Sequence, residues 1–224
     1  MPHTIETAEQ SAGRTAEQSG GRTAGQSGGR TAGQTAGQTA RRPAGHGPDA
    51  ATEEGWTELG SPAELRELLG EPWPVVIEKV HDRLTDKDLE ILARSPFCLL
   101  ATSDAQGNCD VSPRGDGAGF THVLGPGRIA LPDRPGNRRG DSFHNILQNP
   151  HAGLLYLVPG GTEVLRVNGR ARILTDAPFF DALTADGRRP ALALVLDIDE
   201  IYLHCPASLR RSGVWNPASW PSAG

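Results

Sequence analysis

Three arginines, two glycines and two prolines fall within the twelve residues Leu131–Ser142 (Leu-Pro-Asp-Arg-Pro-Gly-Asn-Arg-Arg-Gly-Asp-Ser). A short apolar run precedes them. Phe143-His-Asn-Ile-Leu147 follows, with apolar residues at i, i+3 and i+4 of a helix. A strand that breaks into an Arg-rich loop and then opens a helix is suited to hold an anion. The first turn of a helix has unpaired N–H groups, and a guanidinium fork matches phosphate geometry. About twenty residues upstream, Asp110-Val-Ser-Pro-Arg-Gly-Asp116 adds another arginine beside a hydroxyl. Together these segments suggest a pocket for a phosphorylated cofactor. A solvated Arg-rich loop with no ligand has the same spacing, and spacing alone does not separate the two.

Other chemistries find less support. The only lysines are Lys79 and Lys87, and no G-x-x-x-x-G-K run exists, so a P-loop is excluded. An anion here must meet Arg, hydroxyls and backbone N–H. His122, His144, His151 and His204 show no metal-ligand spacing such as HExxH, and no metal is expected. Cys98, Cys109 and Cys205 form no CxxC pair and are too few for a disulfide framework, which points to a reduced, cytoplasmic protein. No apolar run of about 18 residues exists, so no membrane association is expected.

The composition divides the chain. Residues 1–50 hold an octapeptide repeat, Ser11–Gln18, Ser19–Gln26 and Ser27–Gln34, with Met1 and Ile5 as their only large apolar side chains. Such a segment cannot bury enough surface to offset the entropy of ordering, and a disordered tail is expected. It has no apolar core of the signal-peptide kind. Residues 51–224 form the expected folded domain. They carry 17 basic and 23 acidic residues, which argues against a nucleic-acid binder.

The elements that must position the loop are short. Ser61-Pro-Ala-Glu64 is a capping signal, followed by Leu65, Leu68 and Leu69 on one helix face. Thr85–Asp88 starts a second helix, with Leu89 and Leu92 inward, that ends before Ser95-Pro96. Strands are expected at Phe97–Thr102, Cys109–Arg114, Arg128–Leu131 and Ala152–Val158. The clearest pattern is Leu165–Leu174. Leu165, Val167, Gly169, Ala171 and Ile173 share one face, and Arg166, Asn168, Arg170 and Arg172 the other, as in an antiparallel strand with one polar side. That polar side reads as solvent or a subunit interface. A short helix over Pro178–Ala185 precedes a last strand from Ala191 to His204, with an irregularity at Asp199-Glu200. Mainly antiparallel strands with a few short helices indicate a small closed or split β-barrel.

This order of elements resembles the pyridoxamine 5′-phosphate oxidase-like, FMN-binding split-barrel superfamily, and most of all its uncharacterised, probable FMN-dependent branch. The residues that carry the resemblance are Pro96–Thr102, Asp110–Asp116, Leu131–Ser142, Asn145–Pro150 and Leu165–Ala171, within a span of roughly 80–217. The resemblance implies a homodimer with FMN at the subunit interface. It also implies that Ser112, Arg114, Asn137, Arg138, Arg139, Asp141 and Ser142 surround the phosphate and ribityl chain. Backbone groups near Leu131 and Asp133 would reach the ring edge. Arg114 and Arg139 are the first candidates for the charged contacts.

The chain departs from true pyridoxamine phosphate oxidases. No lysine follows Arg114 by five residues, Asp141-Ser142 stands where those enzymes open a helix with Arg-Lys, and the C-terminal Arg-x-His motif is missing. Pyridoxamine phosphate is therefore not the expected substrate. The reading is an FMN-dependent oxidoreductase acting on a small redox substrate. The alternatives are a non-catalytic flavin, deazaflavin or haem binder, and an apo interaction module.

Overall fold

In the computed structural model, which describes residues 55–222, the period-two pattern at Leu165 becomes an eleven-residue internal strand of one antiparallel sheet. The repeat-containing tail expected over residues 1–50 lies outside the described residues. Three helices, α1 (Pro62–Leu69), α2 (Pro74–Glu78) and α3 (Asp86–Arg94), precede the sheet. The strands are β1 (Phe97–Ser103), β2 (Cys109–Gly115), β3 (His122–Gly125), β4 (Arg128–Pro132), β5 (His151–Leu157), β6 (Val164–Leu174) and β7 (Ala193–His204). Helix α4 (Asp141–Gln148) sits between β4 and β5, and α5 (Ala207–Ser212) follows β7. The strand order is β2-β1-β5-β6-β7-β4-β3. The two edge strands, β2 and β3, do not pair, so this is an antiparallel split β-barrel rather than a closed one.

Alternation sets the core. Leu100 on β1, Leu154 and Tyr156 on β5, Val167 on β6, and Leu196 and Ile201 on β7 are buried together. The Tyr156 hydroxyl is fully enclosed and hydrogen-bonded to Thr121 Oγ1 at 3.0 Å, which satisfies the polar end of a large core ring. The irregularity expected at Asp199-Glu200 is a bulge. Asn168 pairs with Glu200 and Gly169 with Ile198, leaving Asp199 without an opposite residue. Gly169 is required there, because a Cβ would stand 2.0 Å from the Asp197 carbonyl oxygen.

Helix α3 has a full capping box. Thr85 Oγ1 accepts from Asp88 N–H, and Asp88 accepts from Thr85 N–H at 2.9 Å. Its inward residues are Ile91 and Leu92. Leu89, expected inward, is exposed, because the buried face of the helix runs through Asp88, Ile91 and Leu92. The helix expected over Pro178–Ala185 is a single 3-10 turn, Phe180–Leu183, and strand β3 has no counterpart in the sequence reading. No helix among the described residues is long and apolar enough to cross a membrane.

Candidate functional site

Strand β2 alternates. Asp110, Ser112 and Arg114 turn toward α4, and Val111 and Pro113 turn out to solvent. Opposite them, Asp133 N–H donates to the Leu192 carbonyl at 2.9 Å, one residue past the end of β4. The chain then leaves the sheet as the loop 133–140. Arg138 and Gly140 take left-handed conformations (φ 62° and 67°). Asn137 Oδ1 accepts from the Arg139 N–H at 3.0 Å, an Asx-type turn that swings the chain into α4. Between β2, the loop and the first turn of α4 lies a cavity of about 770 Å3.

Eight of the nine residues expected at the site line this cavity: Ser112, Arg114, Asp133, Asn137, Arg138, Arg139, Asp141 and Ser142. The ninth, Leu131, is buried beneath it against Leu100, Phe143 and Leu194. Asp110, Phe120, Phe143 and Leu192 also line it and were not expected. The alternation of β2 could have named Asp110, two residues before Ser112. The aromatics come from elements whose approach is set by packing.

The arginines are not equivalent. Arg114 Nη1 donates to Asp133 Oδ1 at 3.2 Å, and its guanidinium lies 5.1 Å from the centre of the Phe143 ring. Arg114 Nε is buried and has no hydrogen-bond partner. Arg134 is committed to the fold, with Nε 2.6 Å from Asp116 Oδ2 and Nη2 2.9 Å from the Leu183 carbonyl oxygen. Arg139 pairs with Asp141 at 2.8 Å and is 67% exposed. Arg138 makes no ion pair or side-chain hydrogen bond among the described residues. Ser142 is buried, and its hydroxyl donates to Asp110 Oδ2 at 2.7 Å, so it ties α4 to β2. Asn145 Nδ2 donates to Thr102 Oγ1 at 3.1 Å and ties α4 to β1.

The electrostatics follow from these pairings. Burial raises the Asp133 carboxyl above the usual carboxylate range, against the opposing pull of Arg114 and Arg134. The Gly117 N–H, and then Arg134, hold Asp116 below that range. Behind Arg114, burial pushes the Cys98 thiol up to about 12 although the arginine favours its ionised form. Cys98 is therefore a core residue. The N-cap of α4 is Gly140, and no side chain caps its first turn.

An anion fits this arrangement. A buried guanidinium N–H lacks a partner, a helix start is uncapped, and one arginine of the loop carries no counter-ion. Phe120, Phe143, Pro132 and Leu192 provide apolar surface in the same cavity. Its volume lies in the range of small-molecule sites, about 300–1,000 Å3. Among the described residues, no group of three or more His, Cys, Asp or Glu side chains is placed to hold a metal.

Residues 84–205 match the pyridoxamine 5′-phosphate oxidase family. The chain belongs to it. No curated protein matches the sequence. Among solved structures, a putative pyridoxamine 5′-phosphate oxidase from Lactobacillus delbrueckii is 25% identical. The alignment covers 55% of this chain and 95% of that one, with a TM-score of 0.43. HupZ of Group A Streptococcus is 18% identical over 54% of this chain and 93% of its own, with a TM-score of 0.44. HutZ, the haem storage protein of Vibrio cholerae, is 16% identical over 55% and 94%, with a TM-score of 0.38.

Proposed function

We propose that this member of the family binds FMN in the cavity between β2, the loop 133–140 and α4, and works as a homodimeric, FMN-dependent oxidoreductase on a small redox substrate. The observation that carries the proposal is the buried, unpartnered Arg114 Nε beside the uncapped start of α4. Arg114 and Arg138 would meet the phosphate, with the first N–H groups of α4. Arg139 is held by Asp141 and contributes less. Asn137 shapes the loop, and Ser112 faces the same space. Leu131 supports the cavity floor, and Asp133 orients Arg114. The flavin, when bound, supplies the electron-transfer chemistry. The protein positions it and keeps water from the ring with Phe143, Phe120 and Leu192.

The cavity lining holds no His, Cys, Met or Tyr, the side chains that ligate haem iron, which favours a flavin over haem. A second reading is a flavin or deazaflavin binder without catalysis. It has support in the same lining, whose carboxylates Asp110, Asp133 and Asp141 are engaged by Ser142, Arg114 and Arg139. Titration of the purified protein with FMN and with riboflavin, followed by fluorescence, tests binding. FMN is expected to bind tighter by about tenfold to a hundredfold, from one or two charge-assisted contacts. Equal affinities would remove the phosphate from the site. Reduction of the bound flavin by a nicotinamide cofactor then separates the enzyme from the binder. A flavin that stays oxidised supports the second reading.

A further inference from the structure

Residues 61–80 form an arm that its own protomer leaves uncovered. No residue of α1 or α2 is buried. Leu68, Leu69 and Trp73 are 72%, 69% and 77% exposed, and Leu65, Val75, Val76 and Ile77 are exposed as well. A helix of eight residues is marginal in water and takes its stability from packing its apolar face. Only the root of the arm is anchored. Lys79 Nζ donates to the Leu203 carbonyl at 2.7 Å, and His81 and Ile201 exchange backbone hydrogen bonds of 3.1 and 2.7 Å. Lys79 and Arg166 both lie against the Tyr202 ring, at 5.5 and 5.3 Å, so the arm leaves the barrel beside β6 and β7. It precedes residues 84–205, the part that matches the family.

Three occupants can be weighed. The first 50 residues offer only Met1 and Ile5 as large apolar side chains, too few to cover seven. A lipid surface is disfavoured by charge, since Glu64, Glu67, Glu71 and Glu78 outnumber Arg66 and Lys79, and interfacial helices are usually basic. The outer face of the sheet, by contrast, complements the arm. Its cross-strand rows read Pro113–Leu99–Leu155–Arg166 and Val111–Ala101–Gly153–Asn168. They are apolar from β2 to β5 and become polar at β6. Val111 and Ala101 are exposed. Arg166 and Arg170 have no carboxylate partner among the described residues, and Glu67, Glu71 and Glu78 have no cation.

We infer that the arm docks on a second copy of this chain, across the outer face of β2, β1, β5 and β6, with its leucines on the apolar rows and its glutamates toward Arg166 and Arg170. The same surface pair then occurs twice about a two-fold axis. At roughly 60–120 Å2 of apolar area per side chain, seven side chains on each of two arms amount to roughly 800–1,700 Å2, reaching the ~1,200–2,000 Å2 of stable interfaces. The inference deepens the dimer part of the function proposed above, and it gives that dimer a contact made by a segment outside the cavity lining.

Sedimentation of the full chain at micromolar concentration tests it, with FMN binding measured in parallel. The wild type should be a dimer. Leu68→Glu with Trp73→Glu should weaken self-association by about a hundredfold. Urea unfolding of the barrel at low protein concentration should be unchanged, because both side chains are already exposed in the protomer. Arg166→Glu with Arg170→Glu should weaken it about tenfold, and adding Glu67→Lys and Glu71→Lys should restore most of that loss. A dimer unaffected by the arm variants would overturn the arm contact and leave the dimeric flavoprotein standing. A wild-type monomer would overturn the arm contact whether or not FMN binds. Charge reversals that add instead of compensating would overturn the assignment of the receiving face.

Discussion

Helices α1 and α4 are both eight residues long and have opposite relations between local signal and burial. Helix α1 has the better local design. Ser61 caps it, Pro62 opens it, and Glu64 reaches back to the Gly60 N–H at 2.9 Å, yet it buries nothing. Helix α4 starts at a left-handed glycine with no cap, yet it buries Ser142, Asn145 and Ile146. The difference teaches where each helix gets its order. Helix α1 carries its own start signal and leaves its apolar face uncovered in the protomer. Helix α4 is held by tertiary hydrogen bonds to β1 and β2, which leaves its first N–H groups available to a ligand.

The contrast can be broken most directly at the two apolar faces. Ile146→Ala should destabilise the domain by about 2–4 kcal/mol through a core cavity, whereas Leu68→Ala should change the stability of the protomer by less than about 0.5 kcal/mol. Urea unfolding at low protein concentration measures both. Similar losses at the two sites would mean that α1 is packed within the protomer.

The open start of α4 is sharpened at Gly140. An Asp there would put a carboxylate where the phosphate is proposed, and an Asn would impose the same backbone strain without the charge. Gly140→Asp should weaken FMN by about tenfold or more relative to Gly140→Asn, a difference of about 1.4 kcal/mol per decade. Riboflavin should not distinguish the two variants. An equal effect on both ligands would mean that α4 does not face the phosphate.

A smaller effect separates the two adjacent arginines. Arg138→Ala should weaken FMN about tenfold, the lower end of what one contact to a charged group contributes. Arg139→Ala should do less, because its removal also frees Asp141 from a pair that is mostly solvated. Fluorescence titration ranks them, and the reverse order would return the phosphate contact to Arg139.

The weakest effect lies at the root of the arm. His81 Nδ1 faces the Lys79 carbonyl at 2.8 Å and Nε2 faces Asp88 at 2.8 Å, so both ring nitrogens meet acceptors. Burial pulls its pKa down, but these hydrogen bonds and the charges of Asp88 and Asp82 hold it above the ordinary 6.5. Its contribution is therefore complete below pH about 6.5 and is lost as pH rises through the folded-state value. Thermal unfolding between pH 6 and 8 should show a small fall in Tm that His81→Gln abolishes. A fall of the same size in the variant would place its origin elsewhere.

Several of these features were legible in the chain before any fold was known. The face alternation of Leu165–Leu174, the caps at Ser61 and Thr85, the bulge near Asp199 and the anion-suited loop Leu131–Ser142 depend on neighbours within a few residues. Backbone period and turn chemistry are local, and one sequence carries them. The short edge strand His122–Gly125, with a glycine and an exposed Val123, has no such period. The orientation of Leu89 was missed because one helical position, about 100° of rotation, separates it from the buried Asp88.

Tertiary structure alone decided how the site is wired. The four arginines of the cavity look alike in sequence, and three of them take different partners: Asp133 for Arg114, Asp116 and the Leu183 carbonyl for Arg134, and Asp141 for Arg139. Arg114 faces Asp133 across 19 residues, and Arg134 faces Asp116 across 18. Ser142 read as a free hydroxyl until Asp110 was brought within 2.7 Å of it by packing α4 against β2. Which charge is spent on the fold and which is left for a ligand depends on distances set by the whole barrel. Local sequence fixes the residue types and their faces, and close packing assigns their partners.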